Sequence, residues 1–241
     1  MLSLPQRGLF VAGADTEVGK TYVACQILRD LVRRDVNVAA YKPVASGCAP
    51  GGVADDTDAT LLWEASQRRG RLDQVCPQRF EAPLAPHLAA AAEGRSIDVP
   101  LLSQGAAAWR DACDFLIVEG AGGLLSPLAP QTYNIDLALE LNYPLILVVA
   151  NKIGAINQCL QAVLTAANYG RGLAVAGIVL NQVSTDSDVS MMSNADEIRS
   201  RSDTPLLAEL VHQGSLNGSV WDRFVDQQLV QRELDEESSG R

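Results

Sequence analysis

The residues with the clearest chemical capacity lie near the start of the chain, in Gly13-Ala14-Asp15-Thr16-Glu17-Val18-Gly19-Lys20-Thr21, directly after the apolar run Gly8-Leu9-Phe10-Val11-Ala12. That order predicts a buried strand, a turn of small and polar residues, and a helix opening at Gly19-Lys20-Thr21. Backbone N–H groups and the positive helix end then converge on one point, which makes a phosphate cradle. Lys20 would reach the outer phosphates. The Thr21 hydroxyl would complete the shell of a Mg²⁺ ion, a cation that takes few protein oxygens. The strict form of such a loop has a glycine at position 14, whereas here Ala14 stands there and the glycine is Gly13. The loop is one residue longer than the common form.

Other reactive side chains recur where apolar runs end. Tyr41-Lys42-Pro43-Val44-Ala45-Ser46-Gly47 puts a lysine and a hydroxyl on one turn, and Pro43 restricts Lys42 to an extended backbone, so Lys42 and Ser46 could face one cleft or simply be solvated. Asp55, Asp56 and Asp58 precede Leu61-Leu62-Trp63 and serve either as helix caps or, for one of them, as a metal ligand. Glu119-Gly120-Ala121-Gly122-Gly123 ends another apolar run with a carboxylate and with glycines that let a ligand approach the backbone. An unpaired buried carboxylate costs several kcal/mol in order-of-magnitude terms, so Glu119 needs a partner, and Mg²⁺ beside Thr21 would supply it. Asn151-Lys152-Ile153-Gly154-Ala155-Ile156-Asn157 offers a second set of backbone donors at a helix start. The Asn181 amide could read a purine edge or form a turn. His87, in Pro83-Leu84-Ala85-Pro86-His87, is an acid–base candidate or a packed residue, with no nucleophile or metal spacing beside it.

These residues need strands and helices to position them. Strands are expected at residues 8–12, 36–41, 114–118, 144–150 and 173–180, with short edge strands near 78–81 and 205–207. Helices are expected at about 20–34, 56–69, 98–112, 134–142, 155–169, 188–201 and 217–234. Their alternation predicts one α/β domain over residues 1–241, with a mostly parallel sheet covered by helices on both faces and a fraying tail at 235–241. Ligands bind such sheets beyond the carboxyl ends of the strands, where the residues named above fall. A chain of 241 residues with 47% hydrophobic content can bury such a core. A net charge of −10 argues against a nucleic-acid partner. Five widely spaced cysteines without Cys-x-x-Cys pairs predict neither a disulfide framework nor a zinc site. No membrane-length apolar run or signal pattern is present, and a cytoplasmic location is expected.

The long phosphate loop, the Tyr41-Lys42-Pro43-Val44-Ala45-Ser46-Gly47 stretch, Pro83-x-x-Pro86-His87 and Val118-Glu119-Gly120-Ala121-Gly122-Gly123 together resemble the dethiobiotin synthetase family, from about residue 8 to 182. That family has the longer loop. Departures are Ala14 in place of a familiar threonine, and Ala208-Glu209-Leu210-Val211 where Gly-Glu-Ile-Pro often follows the last strand. The resemblance implies a single-domain P-loop fold and an ATP-dependent ligase that closes a cyclic urea from 7,8-diaminononanoate and CO₂ or bicarbonate. Lys20, Lys42 and Ser46 would be catalytic, and Thr21, Asp58 and Glu119 would hold Mg²⁺, leaving Asp55 and Asp56 as caps. Thr16, Glu17, Val18, Gly19, Lys20, Thr21, Asn181 and Glu209 would bind the nucleotide. Ser46 and Gly122 would meet the diamine. Gly154 to Asn157 would bind its far carboxylate across a homodimer interface. Competing readings are a cobyrinic acid synthetase-like amide ligase and a ParA- or MinD-like ATPase switch. The switch class carries an extra lysine where this chain has Ala14 and Asp15.

Overall fold

The computed structural model describes residues 4–49, 57–186 and 188–239, with backbone alone from 230 onward. Asp55 and Asp56 lie outside the described residues. The strands are β1 (Arg7–Gly13), β2 (Val38–Tyr41), β3 (Val44–Ala45), β4 (Gln78–Arg79), β5 (Phe115–Gly123), β6 (Pro127–Ala129), β7 (Thr132–Tyr133), β8 (Leu145–Ala150), β9 (Val175–Asn181) and β10 (Leu206–Leu210). The helices are α1 (Lys20–Arg33), α2 (Asp58–Ala65), α3 (Leu72–Val75), α4 (Pro86–Ala92), α5 (Val99–Ala107), α6 (Asn134–Leu141), α7 (Ala155–Asn168), α8 (Met191–Arg201) and α9 (Ser219–Ser239).

Six strands form one sheet in the order β10-β9-β8-β1-β5-β2, and every neighbouring pair is parallel. Helices on both faces bury the strands on both sides, which is why β1, β5 and β8 read as continuous apolar runs instead of alternating ones. Central position fixes the site: β1 lies between β8 and β5, with Val11 in register with Glu119 and Gly13 with Gly123. The expected edge strand near 205–207 joins this sheet as β10. The one expected near 78–81 does not. It is β4, paired with β3 in a separate two-stranded ladder, because the chain leaves the main sheet after Tyr41, where the Lys42 N–H donates to Val75 O. The β6–β7 hairpin and the short α3 and α4 carry too few residues for a periodic signal. Among the described residues, no helix is long and apolar enough to cross a membrane.

Helix α1 turns Val23, Ala24, Ile27, Leu28 and Leu31 toward the core. Its last turn is clamped to α9 by one buried carboxylate. Asp30 accepts from Arg33, from Arg34 Nε and from the fully buried Trp221 Nε1, each at 2.9 Å, and Arg34 reaches on to Asp222 and Asp226. Asp30→Ala strips the indole N–H and the guanidinium of their shared acceptor. It should lower unfolding free energy by about 2–4 kcal/mol in urea titration, whereas Asp226→Ala, at an exposed carboxylate, should move the midpoint far less.

Candidate active site

The long loop is held in shape by crowding. A Cβ on Gly13 would lie 2.3 Å from Asp15 O and 2.8 Å from Val18 Cγ2, so the backbone folds over position 13 and the glycine belongs there, while Ala14 packs against the core. Gly19, the α1 N-cap, is left-handed at φ 82°, and a Cβ there would lie 2.3 Å from Asn181 Nδ2. Asn181, the last residue of β9, donates that amide to Val18 O at 3.0 Å. It thus fastens the loop from beneath while lining the cavity. Asp15 accepts from Thr16 N and from Gln158 Nε2 on α7.

Beneath Lys20 lies a buried ionic junction. Lys42 Nζ donates to Glu119 Oε1 at 2.6 Å and to Asp58 Oδ2 at 2.5 Å, and Thr21 Oγ1 donates to the same Glu119 Oε1 at 2.9 Å. Glu119 is fully buried, so Lys42 and Thr21 are the partners its carboxylate requires. Its Oε2 is buried with no hydrogen-bond partner. Desolvation alone would lower the Lys42 ammonium, but Glu119 and Asp58 outweigh it and hold it above the usual lysine range. Desolvation likewise pushes the Asp58 carboxyl up, and Lys42, with help from Thr21 and Lys20, holds it below the usual carboxylate range. Burial pulls Lys20 below the ordinary lysine value, opposed by Glu119. The donor set of one hydroxyl and two carboxylates, with an orphaned carboxylate oxygen, suits a hard cation such as Mg²⁺ that also takes phosphate oxygens. Among the described residues no cluster of three or more His, Cys, Asp and Glu forms a metal cage of its own.

A cavity of about 830 Å³ is lined by Glu17, Gly19, Lys20, Thr21, Glu119 and Asn181, with Asp58 at its edge. A second, of about 250 Å³, is lined by Ser46, Gly47, Cys48 and Thr57 and also by Asp58. Asp58 lines both. A third, of about 370 Å³, is bounded by Ala14, Gly123, Ser126 and Gln158, and Gly122, left-handed at φ 74°, lies beside Ser126 and Thr16. Val18 is buried and acts through its carbonyl.

Two expected groups stand apart from this cavity. Glu209 projects from the edge strand β10 to pair with Arg199 of α8 at 2.5 Å and, like Thr16, is not among the residues lining the large cavity. Gly154 and Asn157 are exposed at the start of α7, outside all three cavities. The α2 cap is Thr57, which accepts from Thr60 N, while Asp58 is the first helical residue. His87 sits in the first turn of α4 with a buried, unpartnered Nδ1, clear of the cavities. Burial pushes the Cys25 and Cys76 thiols up to about 12 and those of Cys113 and Cys159 to about 11, which makes them poor nucleophiles. Tyr22, Gln26, Arg29, His212 and Gln213 also line the large cavity. The first three were legible as one helical face, spaced four and three residues apart along α1.

The fold and cradle define a P-loop nucleotide-binding α/β protein, and a family model described as an AAA domain matches residues 7–219. A ParA family ATPase from Chlorobium tepidum superposes with a TM-score of 0.52 over 93% of this chain and 99% of its own, at 15% identity, a likeness of fold alone. Sequence comparison is more specific. The ATP-dependent dethiobiotin synthetase of Anaeromyxobacter dehalogenans is 43% identical over 192 residues, covering 80% of this chain and 84% of its own. That of Rhodopirellula baltica is 37% identical over 213 residues, covering 83% and 82%, and that of Aromatoleum aromaticum 39% identical over 210, covering 86% and 91%. The chain belongs to the ATP-dependent dethiobiotin synthetase family.

The junction sets a pH signature. Lys42→Met leaves Glu119 buried with the Thr21 hydroxyl but without its counter-charge, which should cost about 3–5 kcal/mol. A raised lysine stabilises below its unfolded value and loses this as pH rises through the folded one. A depressed aspartate stabilises above its unfolded value and loses this as pH falls through the folded one. The stability gap between wild type and Lys42→Met, followed by thermal melts, should be widest from about pH 5 to 9 and narrow on acidification as Asp58 protonates.

Proposed function

We propose that this chain closes the ureido ring of dethiobiotin from 7,8-diaminononanoate and CO₂ at the expense of ATP. The observation that carries the reading is that two cavities share Asp58, the partner of Lys42, in their walls. One has phosphate-loop chemistry, and the other holds Ser46 and room for a second reactant. A pure nucleotide switch needs only the first. One substrate amine adds to CO₂ and loses a proton to give a carbamate. A carbamate oxygen attacks the γ-phosphorus, ADP departs, and a carbamic–phosphoric anhydride remains. The second amine then attacks its carbonyl carbon and expels phosphate with the bridging oxygen. Both nucleophiles come from the substrate, so no activated serine or cysteine is required.

In this reading the loop N–H groups hold the phosphates, and Lys20 and Lys42 offset the charge that gathers on the transferring phosphoryl oxygens. Ser46 orients the carbamate, Thr16 and Glu17 line the nucleotide and substrate side of the loop, and Gly122 meets the diamine. Thr21, Asp58 and Glu119 would hold Mg²⁺, which when bound supplies further charge neutralisation at the phosphates. The chain would act in the cytoplasm as a homodimer. Exposed Leu125, Ile153 and Leu164, with open space above Gly154, support a second copy covering the α7 start, where Gly154 and Asn157 would take the substrate carboxylate.

ADP release should require diaminononanoate and bicarbonate together. Equal ATP turnover with both, either or neither would contradict a ligase. Lys20→Gln should lower kcat by about 10²-fold or more, since its charge matters most in the transition state. A near-normal kcat would remove Lys20 from the mechanism.

A further inference from the structure

The large cavity extends past the phosphate loop along α1, and a turn after β10 forms its far wall. Residues 211–214 close on themselves through Gly214 N to Val211 O at 2.8 Å, and β10 is joined to the chain after β9 by Gln182 N to Leu210 O at 2.9 Å. At the tip of the turn are His212 and Gln213, both on the cavity wall, with Gln213 in the left-handed region at φ 57°. Among the described residues, one side-chain hydrogen bond ties the turn to α1. Tyr22, adjacent to Thr21 and itself on the cavity wall, donates its hydroxyl to Gly214 O at 2.5 Å. Gln26, one turn along α1, stands close enough to that hydroxyl to act on its ionisation.

The arrangement joins two ends of one ligand. Lys20 and Thr21 line the cavity from the first turn of α1, and Tyr22 in the same turn bonds to the opposite wall. We propose that Tyr22 is a positioning residue for the nucleoside end of the nucleotide. Its hydroxyl holds the 211–214 turn, and with it His212 and Gln213, at a fixed separation from the phosphate loop, so that base, sugar and phosphates are gripped as one unit. Without this bond the turn keeps its internal closure but loses its registration to α1. This inference rests on the nucleotide reading of the cavity.

The test compares two probes by calorimetry, Mg·ATP and Mg·tripolyphosphate, on wild type and Tyr22→Phe. The phenylalanine keeps the ring and removes only the donor. ATP should bind about 5- to 10-fold more weakly to the variant, the loss of one neutral hydrogen bond, while tripolyphosphate affinity should stay unchanged. Unchanged tripolyphosphate binding also shows that the variant retains a folded loop. Equal ATP affinity in the two proteins would overturn the proposal, and so would an equal loss for both probes, which would place the hydroxyl's effect in the loop as a whole. Failure of the wild type to bind either probe would instead overturn the nucleotide reading itself.

Discussion

One ammonium, Lys42 Nζ, stands between two carboxylates that come from opposite directions, Glu119 within β5 and Asp58 at the start of α2. The Glu119 carboxyl group is fully removed from water, and Lys42 and the Thr21 hydroxyl supply the hydrogen bonds it makes there. The junction links α1, β5, α2 and the turn after β2 through charge, in a place where apolar packing would exclude water without creating a site. The same burial that makes the junction costly makes it effective, since charges in a poorly solvated pocket act strongly on a transferring phosphoryl group.

The rest of the architecture serves to bring these groups to one edge of the sheet. Parallel pairing brings the carboxyl ends of β1, β5 and β9 to one edge of the sheet, with β8 between β1 and β9, so Gly13, Glu119 and Asn181 arrive near one another although they are remote in sequence. Asn181 then props the loop through Val18 O, and the Asp30 clamp fixes the far end of α1 against α9. Helix α1 is thereby held at both ends. Its polar face, Tyr22, Gln26 and Arg29, forms one wall of the large cavity.

Much of this is legible in the sequence, because a parallel sheet buried on both faces writes itself as uninterrupted apolar runs, and a phosphate loop writes itself as glycine, lysine and threonine at fixed spacing. Glu119 is legible as a carboxylate in need of a partner. That its partner is Lys42, far away in the chain, follows only from the pairing of β2 with β5. Position 14 is a departure from the common loop that the crowding at Gly13 explains. The pairing of Glu209, within the edge strand β10, with Arg199 of α8 is not legible in the sequence, because it depends on how that helix packs beside the strand. The β3–β4 ladder and the short α3 and α4 are too brief for periodicity to reveal. The turn at 211–214 owes its position to a hydroxyl-to-carbonyl contact that no local pattern encodes.

The central claim is that the phosphoryl group passes to a carbamate oxygen and not to water. Supplying C¹⁸O₂ in single-turnover mixing with enzyme, diaminononanoate and ATP, before CO₂ exchanges oxygen with solvent, follows that oxygen directly. The account predicts one ¹⁸O in each phosphate released, because the anhydride bridging oxygen leaves with phosphorus. Phosphate free of the label, and instead carrying oxygen from H₂¹⁸O in the matched experiment, would contradict it.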